Sequence, residues 1–556
     1  MRERRRDALG DLFGDSDATS DATPSAAPGA PTSRATPAAA VSATDAGPPA
    51  RLAAIEPRLR SLLPAELYAR TWLDPSSDNL YAVFVHLRTL HRILFDQIPR
   101  PVAENPPPTG TIHHEWLSGT LMFTDLAGFT TFMEANATDD PASAALVYEV
   151  LNRYFATMID IFGQAGGNLL EFTGDAMLVQ FAADARGNDL HRAINAGLRM
   201  QRAMGEFAAI ETPAGTSSFG MRIGVHVGDY LAADVGTPLR RDHVLFGQTV
   251  RTTKAAEGAG VVGRVALSPD AAARIGDAFR LEELPDGHHL VIDDFTAEQL
   301  DYFDLNPRVS RPRTPMVLDR SPEALLTDIE DALDLVEPLA GYLPLMVLQV
   351  MVETARDRRI PVELADATVM FVKTVGLEER LDPTDDASVA EMVRTFSSLF
   401  SRCAAGVWSR GGMLRKVTSQ MSGSDMLICF GVLNAHTDSP RRAAEAALVL
   451  RNLIAETEGV TCRIGVTRGP VFAAEMGQHL GRREFNIIGD TVNVAARLTA
   501  AAEPGTIVVS DTLAADLGPG FAVEARGTRA LKGKAGEMEI FELTGAPEAT
   551  APGPGR

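Results

Sequence analysis

Apolar residues recur at helical spacing in several segments of the chain. Between residues 80 and 94 they stand three or four positions apart, at Leu80, Val83, Phe84, Leu87, Leu90 and Leu94. The same spacing runs from Val147 to Ile161, and Gly166-Gly167 should end that helix, because glycine readily adopts the left-handed conformation of a C-terminal cap. A third helix is predicted over about residues 190–208.

Short apolar runs between the helices predict strands, and the whole series of elements occurs twice. The first copy has strands over Gly119–Thr124 and Met221–Val227; the second repeats them at Ala367–Phe371 and Cys462–Val466, with a helix over Val389–Val407. The Arg-Ile-Gly-Val motifs of the two copies lie 241 residues apart. Each copy reads β-α-α-β-β-α-β, which predicts an α+β domain with helices on one face of its sheet.

Changes in composition divide the chain into six segments. Residues 1–50 are Ala, Pro, Ser, Thr, Gly and Asp with few large apolar side chains, so we expect disorder there. The other predicted segments are a helical region at 51–110, the first copy at 111–305, a linker and helix at 306–362, the second copy at 363–545 and a disordered tail at 546–556. We interpret the helix at 80–94 as a docking element for the first copy.

Charge and cysteine content narrow the class of protein. The net charge of −21 argues against nucleic-acid binding and against binding to anionic membranes, both of which need a basic surface. The three cysteines of the chain are too far apart for a zinc knuckle. Their spacing favours a protein of a reducing compartment. No apolar stretch follows the basic start, and the most apolar segment, 339–348, is too short to span a bilayer. We therefore expect a cytoplasmic protein without membrane insertion.

Two aspartates in the first copy are candidate metal ligands. Asp125 ends a strand in Phe123-Thr-Asp-Leu-Ala-Gly-Phe-Thr130, and Asp175 lies in a Thr-Gly-Asp hairpin. Neighbouring strands would bring the two carboxylates together, and such a pair repels unless a divalent cation lies between them. The alternative is that each aspartate only caps its own turn.

Candidate residues in the second copy are polar and cationic. Asn493 and Arg497 stand four apart after a glycine loop, so they share one face of a helix. Further on, Lys532 and Lys534 place cations at a strand end. The alternative is that Asn493 and Arg497 form a solvated helical pair.

These motifs in combination resemble the class III nucleotidyl cyclases, and most of all their tandem soluble adenylyl cyclase branch. The motifs are Phe-Thr-Asp-Leu-Ala-Gly-Phe-Thr, Thr-Gly-Asp, Arg-Ile-Gly-Val-His and Ile-Gly-Asp-Thr-Val-Asn-Val-Ala-Ala-Arg-Leu. The resemblance implies two ferredoxin-like domains that pair within one chain as a pseudo-heterodimer. It also implies ATP as substrate, with two Mg²⁺ or Mn²⁺ ions per site.

The resemblance assigns a role to each matching position. Asp125 and Asp175 match the metal ligands, and Phe129 and Thr130 belong to the nucleotide-binding set. The other matches are Arg222 and Lys532 for phosphates, Asn493 for the ribose, Arg497 for the transition state, and Lys416 with Asn486 for the adenine ring. The second copy has about four extra residues before Gly423, and this insertion affects the alignment of Lys416 and Asn486.

A second composite site, the mirrored site, would form if the two copies exchanged roles. It lacks the metal ligands and the transition-state residues. The second copy has Lys373 and Ser424 in place of the two aspartates, and the first copy has Arg251 and Ala255 in place of the asparagine and arginine. One site should therefore work and the other should not. In the related branch the mirrored pocket resembles an anion site; here we expect Glu171 to oppose anion binding, or to close the pocket by pairing with Lys254 or Lys373.

The predicted activity is conversion of ATP to cyclic AMP and pyrophosphate. Three alternatives remain open: a non-catalytic nucleotide sensor with the cyclase fold, a guanylyl cyclase, and a scaffold that acts through the N-terminal tail and helices. Further association of chains is possible.

Overall fold

The protein is described by a computed structural model that covers residues 48–136, 141–300, 317, 319–357, 360–420, 422–478, 481–518, 520–530 and 537–545. Residues 57–556 form one compact unit, and the contacts below lie within it. The predicted disordered tails fall outside the described residues, except that 48–50 begin a helix.

Helices precede each copy. The first group is α1 (Pro48–Leu59), α2 (Ala65–Leu73), α3 (Ser77–Gln97) and α4 (Arg100–Glu104), and the second is α10 (Pro322–Ala340) and α11 (Leu345–Glu353). In the described ranges no helix combines the length and the apolar character needed to cross a membrane.

The two copies share one order of elements, except that the first has an extra short helix (Phe129–Asn136) and an extra hairpin (residues 210–217). The first contains β1 (His113–Ala127), α5 (Phe129–Asn136), α6 (Pro141–Gln164), β2 (Asn168–Thr173), β3 (Ala176–Ala182), α7 (Asp189–Ala203), β4 (Ile210–Thr212), β5 (Gly215–Ser217), β6 (Gly220–Thr237), β7 (Arg240–Phe246), α8 (Gln248–Ala259), β8 (Val265–Leu267), α9 (Pro269–Ile275), β9 (Leu281–Glu283) and β10 (His289–Val291). The second contains β11 (Glu363–Val375), α12 (Asp386–Trp408), β12 (Met413–Gln420), β13 (Gly423–Phe430), α13 (Ser439–Ala455), β14 (Thr461–Gly477), β15 (Arg483–Ile488), α14 (Asp490–Ala501), β16 (Ile507–Ser510), α15 (Asp511–Leu517), β17 (Ala522–Ala530) and β18 (Glu537–Gly545).

Each copy folds around one mixed sheet. The strand order is β2-β3-β1-β6-β8-β10-β9 in the first and β12-β13-β11-β14-β16-β18-β17 in the second. β7 and β15 pair beside β6 and β14, and β8 and β16 run parallel to those same central strands. The α+β class and the tandem arrangement are thereby confirmed.

The prediction that the helices lie on one face of each sheet is wrong. Ile223 and Val225 point into the core formed with α6 and α7, whereas Gly224 between them faces α8. A Cβ on Gly224 would stand 2.1 Å from the backbone nitrogen of Glu257. Gly465 meets α14 in the same way, at 2.3 Å from the nitrogen of Thr499. Glycine in this motif therefore allows a helix to pack directly on the second face.

The copies are joined because each inserts an arm into the core of the other. The first arm (residues 231–246) is the outer part of the β6–β7 hairpin, and the second arm (residues 472–488) is the outer part of β14–β15. The first arm places Leu231, Ala233, Val235, Val244 and Phe246 in the core of the second copy. The second arm places Phe472, Ala474, Met476 and Ile488 in the core of the first. Burial of this apolar surface holds the pseudo-heterodimer together.

The helices dock crosswise on these arms, so the prediction that α3 docks on the first copy is wrong. The Gln97 side chain at the end of α3 donates to Glu475 on the second arm at 2.6 Å. The turn between α10 and α11 binds the first arm instead, where the Tyr342 hydroxyl donates to Asp234 at 2.8 Å. Gln97 of α3 and the turn between α10 and α11 thus bind the copies that they do not immediately precede, whereas α4 contacts β2 of the first copy.

Truncation of Phe246 should destabilise both copies. Its ring is fully buried in the second copy and packs edge-on against Phe396, with ring centroids 4.9 Å apart. We expect Phe246→Ala to lower the free energy of unfolding by about 3–5 kcal/mol, measured by urea denaturation.

A matched control lies on the same hairpin. Leu239 is 46% exposed, so Leu239→Ala should change stability by less than about 0.5 kcal/mol. Equal effects of the two changes would show that the arm does not contribute to the core of the second copy.

Candidate active site

Acidic residues of the first copy meet around one arginine. Asp125 lies near the end of β1 directly opposite Arg222 on β6. An Arg222 Nη2 donates to Asp125 Oδ2 at 2.6 Å, and its Nε lies 2.9 Å from Glu257 Oε1 on α8. Asp175 follows in the turn between β2 and β3. Sequence reasoning missed Glu257, because nothing in its local motif points to the strands that α8 covers.

The electrostatics of this half favour a cation. Burial and the charge of Asp125 raise the pKa of Asp175 to about 8. Burial and Asp125 also raise the pKa of Glu257 to about 7, although Arg222 opposes that shift. Asp125 and Glu257 bind the Arg222 guanidinium, and the charges of both act on Asp175. Ionisation of all three carboxyl groups would therefore leave excess negative charge. A divalent cation would relieve this repulsion.

The donor set fits Mg²⁺ or Mn²⁺. Both ions prefer oxygen ligands, and Mg²⁺ commonly takes only one or two carboxylates and completes its shell with substrate phosphates and water. In the part of the chain that the structure describes, no group of three or more His, Cys, Asp or Glu side chains could hold a metal alone. The pair Asp125 and Asp175 suits a metal that arrives with a polyphosphate.

Backbone N–H groups lie beside the acidic pair. Gly128 turns the chain after β1 with φ of 89°, and a Cβ there would stand 2.5 Å from the Ser218 carbonyl oxygen. Helix α5 starts immediately afterwards, so the N–H groups of Phe129 and Thr130 belong to its first turn and have no intrahelical acceptor. Such groups can bind phosphate oxygens.

The second copy contributes α14 to the same place. The Asn493 side chain donates to Thr130 Oγ1 across the boundary between the copies, at 3.4 Å. Arg497 stands one turn further along α14, and its half-buried guanidinium lies 4.0 Å from Asp490. Its Nη1 is buried without a hydrogen-bond partner among the described residues. An anion would satisfy this donor.

Asn486 forms a second direct bond between the halves. Its side-chain nitrogen donates to the Gly174 carbonyl oxygen at 2.7 Å, next to Asp175, and its oxygen accepts from the N–H of Ile487 at 2.9 Å. Two amides of the second copy therefore bind the two loops of the first copy that hold the acidic and N–H groups. Lys532 lies outside the described residues.

Lys416 is part of a buried cluster around Glu484. Its Nζ lies 3.0 Å from Glu484 Oε1, and Arg415 and Arg482 bind the same carboxylate at 2.8 and 2.6 Å. Burial alone would raise the pKa of Glu484, but the three cations lower it to about 2. The cluster lines a cavity of about 60 Å³ together with Asp242 of the first copy. Sequence reasoning missed Glu484, although its place two residues before Asn486 on β15 puts both on one face.

The strand registers relate the two copies position by position. Lys373 lies opposite Arg463 as Asp125 lies opposite Arg222. A bulge precedes Lys416 on β12 and Glu171 on β2, so these two residues are equivalent. The hairpin after Lys416 is four residues longer than its counterpart. The equivalences expected from the sequence therefore agree with the backbone on both sides of the insertion.

Comparison with known proteins identifies the family. The sequence matches the adenylate and guanylate cyclase catalytic domain at residues 114–288 and again at 362–545, more than half of the chain. The chain therefore belongs to this family, and the predicted resemblance is confirmed.

Two relatives are named as adenylate cyclases. The chain is 25% identical to adenylate cyclase type 10 of Rattus norvegicus over 77% of its own length and 27% of that protein. It is 31% identical to an adenylate cyclase of Mycobacterium tuberculosis over 39% of its length and 47% of the relative. The chain thus spans about a quarter of the first relative and under half of the second.

One solved structure shares the tandem fold. It is a class III adenylyl cyclase-like ATP-binding protein from Pseudomonas aeruginosa, matched with a TM-score of 0.53 over 78% of this chain and 92% of that one. The identity is 15%, so this likeness concerns the fold.

Proposed function

We propose that the chain is an adenylate cyclase that converts ATP to 3′,5′-cyclic AMP and pyrophosphate at one composite site between its two copies. The observation that carries this proposal is the pair of bonds from Asn486 to Gly174 and from Asn493 to Thr130. These bonds support the proposal because they join the loops of the first copy that carry Asp175 and Thr130 to the strand and helix of the second copy that carry Asn486 and Arg497.

The reaction is an internal phosphoryl transfer. The ribose 3′-oxygen attacks the α-phosphorus, the bond from that phosphorus to the bridging oxygen breaks, and pyrophosphate leaves while the hydroxyl proton passes to solvent. Catalysis of this kind depends on positioning and on charge stabilisation. Asn493 would orient the ribose, and Arg497 would donate to the oxygens on which charge develops.

Asp125 and Asp175 would hold two divalent ions, Mg²⁺ or Mn²⁺, which when bound lower the pKa of the attacking hydroxyl and neutralise charge on the phosphates. Arg222 and Lys532 would bind phosphate oxygens, as would the N–H groups of Phe129 and Thr130. Arg222 already donates to Asp125. When substrate binds, bonds from Arg222 to phosphate oxygens would replace part of that ion pair.

The names of the relatives favour ATP over GTP, and so does Lys416. A lysine can donate to N1 of adenine, whereas N1 of guanine is itself a donor. The Asn486 amide oxygen has a second lone pair that could accept from the adenine amine. Cytoplasmic location and further association of chains stay predictions.

Turnover separates this proposal from a nucleotide sensor. ATP binding by calorimetry and cyclic AMP formation should be measured on one preparation with Mn²⁺. A cyclase shows both; a sensor binds ATP and forms no product. The proposal predicts turnover, because a sensor has no need of Asn493 and Arg497 beside two aspartates.

Lys416 should set base choice. We expect Lys416→Glu to lower kcat/KM for ATP at least about tenfold more than kcat/KM for GTP, since one well-placed polar contact discriminates by at least this factor. Initial rates with each nucleotide measure the ratio.

Arg415 is the matched control, because it binds the same carboxylate one residue away. Arg415→Met should affect both nucleotides alike. A selective loss of ATP use in Arg415→Met, with equal losses in Lys416→Glu, would transfer the base-reading role to Arg415.

A further inference from the structure

A buried carboxylate fills the mirrored site. Glu378 belongs to a short 3₁₀ helix after β11, and its side chain is 2% exposed. Ser424 Oγ donates to one of its carboxylate oxygens, and Ser419 Oγ donates to the other at 3.0 Å. Arg251 Nη1 of the first copy lies 3.8 Å from that second oxygen.

The position of Glu378 matches the substrate region of the working site. Ser424 stands where the first copy has Asp175, and Arg251 stands where the second copy has Asn493. The Glu378 carboxylate therefore lies between the equivalents of a metal ligand and a ribose-orienting residue. It bridges the copies at the point where the other site would receive polyphosphate.

Charges around Glu378 are balanced from inside the chain. Arg251, Lys254 and Lys373 face three carboxylates, of Glu171, Glu378 and Asp425. Lys373 pairs with Asp425 at 3.6 Å, and Lys254 donates to the Ser419 carbonyl oxygen. Burial lowers the pKa of Lys254 and the charge of Glu171 opposes that shift, although in the described ranges no ion pair joins Glu171 to Lys254 or Lys373. Closure of this pocket by Glu171 stays a prediction. The nearest carboxylate to Arg251 is Glu378.

We propose that the mirrored site is a carboxylate-binding site whose permanent occupant is Glu378 of the chain itself. The recognition set consists of the Ser419 and Ser424 hydroxyls of the second copy and the Arg251 guanidinium of the first. These donors suit a planar anion with two acceptor oxygens. The site is closed to external anions because its ligand is covalently tethered and needs no entropy of association.

Removal of the Glu378 side chain should open its three donors to a small external anion. Glu378→Ala should melt at a lower temperature than the unaltered full chain, and formate should raise that temperature saturably. A ligand of three non-hydrogen atoms reaches at best about millimolar affinity, so formate is titrated through that range at fixed pH and ionic strength, with bicarbonate in parallel. The unaltered chain should respond to neither anion, in melting temperature or in cyclic AMP formation.

Two controls define the site. Glu391 is an exposed carboxylate on α12, and Glu391→Ala should gain no formate response. The double change Glu378→Ala with Arg251→Ala should lose the response that Glu378→Ala gains. If Glu378→Ala does not fold in buffer, folding only in the presence of formate supports the proposal, and failure in both overturns it.

The inference rests on the pseudo-symmetry of the proposed cyclase, but the melting measurement needs no turnover. Absence of cyclic AMP from every variant would therefore count against the proposed cyclase activity and not against Glu378 as the occupant of the mirrored site. A saturable response of the unaltered chain to formate or bicarbonate would overturn the proposal, as would a folded Glu378→Ala variant that does not respond.

Discussion

Asp125→Asn should reduce cyclic AMP formation at least about a thousandfold. Metal-ion stabilisation of a phosphoryl-transfer transition state supplies several kcal/mol, and each 1.4 kcal/mol is a factor of ten in rate. The change keeps the size of the side chain at the half-buried end of β1. The melting temperature should change little, because the loss of the ion pair with Arg222 is offset by the relief of repulsion at Asp175 and Glu257.

The mirrored change is the natural control for this prediction. Lys373 occupies the same register in the second sheet as Asp125 in the first, so Lys373→Ala should leave turnover within about threefold. A large loss in Lys373→Ala together with a normal rate in Asp125→Asn would mean that the other composite site is the working one.

Arg497→Ala should lower kcat by about 10² to 10³ while KM for ATP changes far less. Removal of one donor to a developing negative charge has this effect, since the contact strengthens only in the transition state. The buried Nη1 of Arg497 has no hydrogen-bond partner in the described residues and lies 4.0 Å from Asp490, so the change removes no structural hydrogen bond made by this atom. Steady-state kinetics with saturating metal separate kcat from KM.

The conservative change tests why an arginine stands there. Arg497→Lys keeps the charge but loses the planar fork, so it should recover part of the rate without matching the original. Weaker ATP binding at a normal kcat in Arg497→Ala would instead make Arg497 a ground-state contact.

Local pattern predicted much of the fold and of the candidate site. The repeated Arg-Ile-Gly-Val motif located β6 and β14, and the registers of these strands place Lys373 at the position of Asp125, as the repeat indicated. The strands and helices that carry the site residues recur in both copies, so alignment within the chain was enough to relate the two sites.

Features that depend on contacts between distant segments could not be predicted in this way. Exchange of the arms, crosswise docking of α3 and burial of Glu378 each join residues more than 40 positions apart. Gly224 in the Arg-Ile-Gly-Val motif did not by itself indicate that a helix packs on the second face. Glu378 stands where the first copy has Thr130, five residues after the equivalent positions Lys373 and Asp125, but the sequence does not show that its carboxylate turns into the mirrored site.

Product identification tests the central claim most directly. The purified full chain is incubated with ATP and, separately, with GTP in the presence of Mn²⁺ or Mg²⁺, and the products are separated and identified by mass spectrometry. The account predicts 3′,5′-cyclic AMP and pyrophosphate in equal amounts from ATP, far less cyclic GMP, and no cyclic product from Asp125→Asn. ATP that is bound but returned unchanged, or cyclic GMP as the main product, would contradict it.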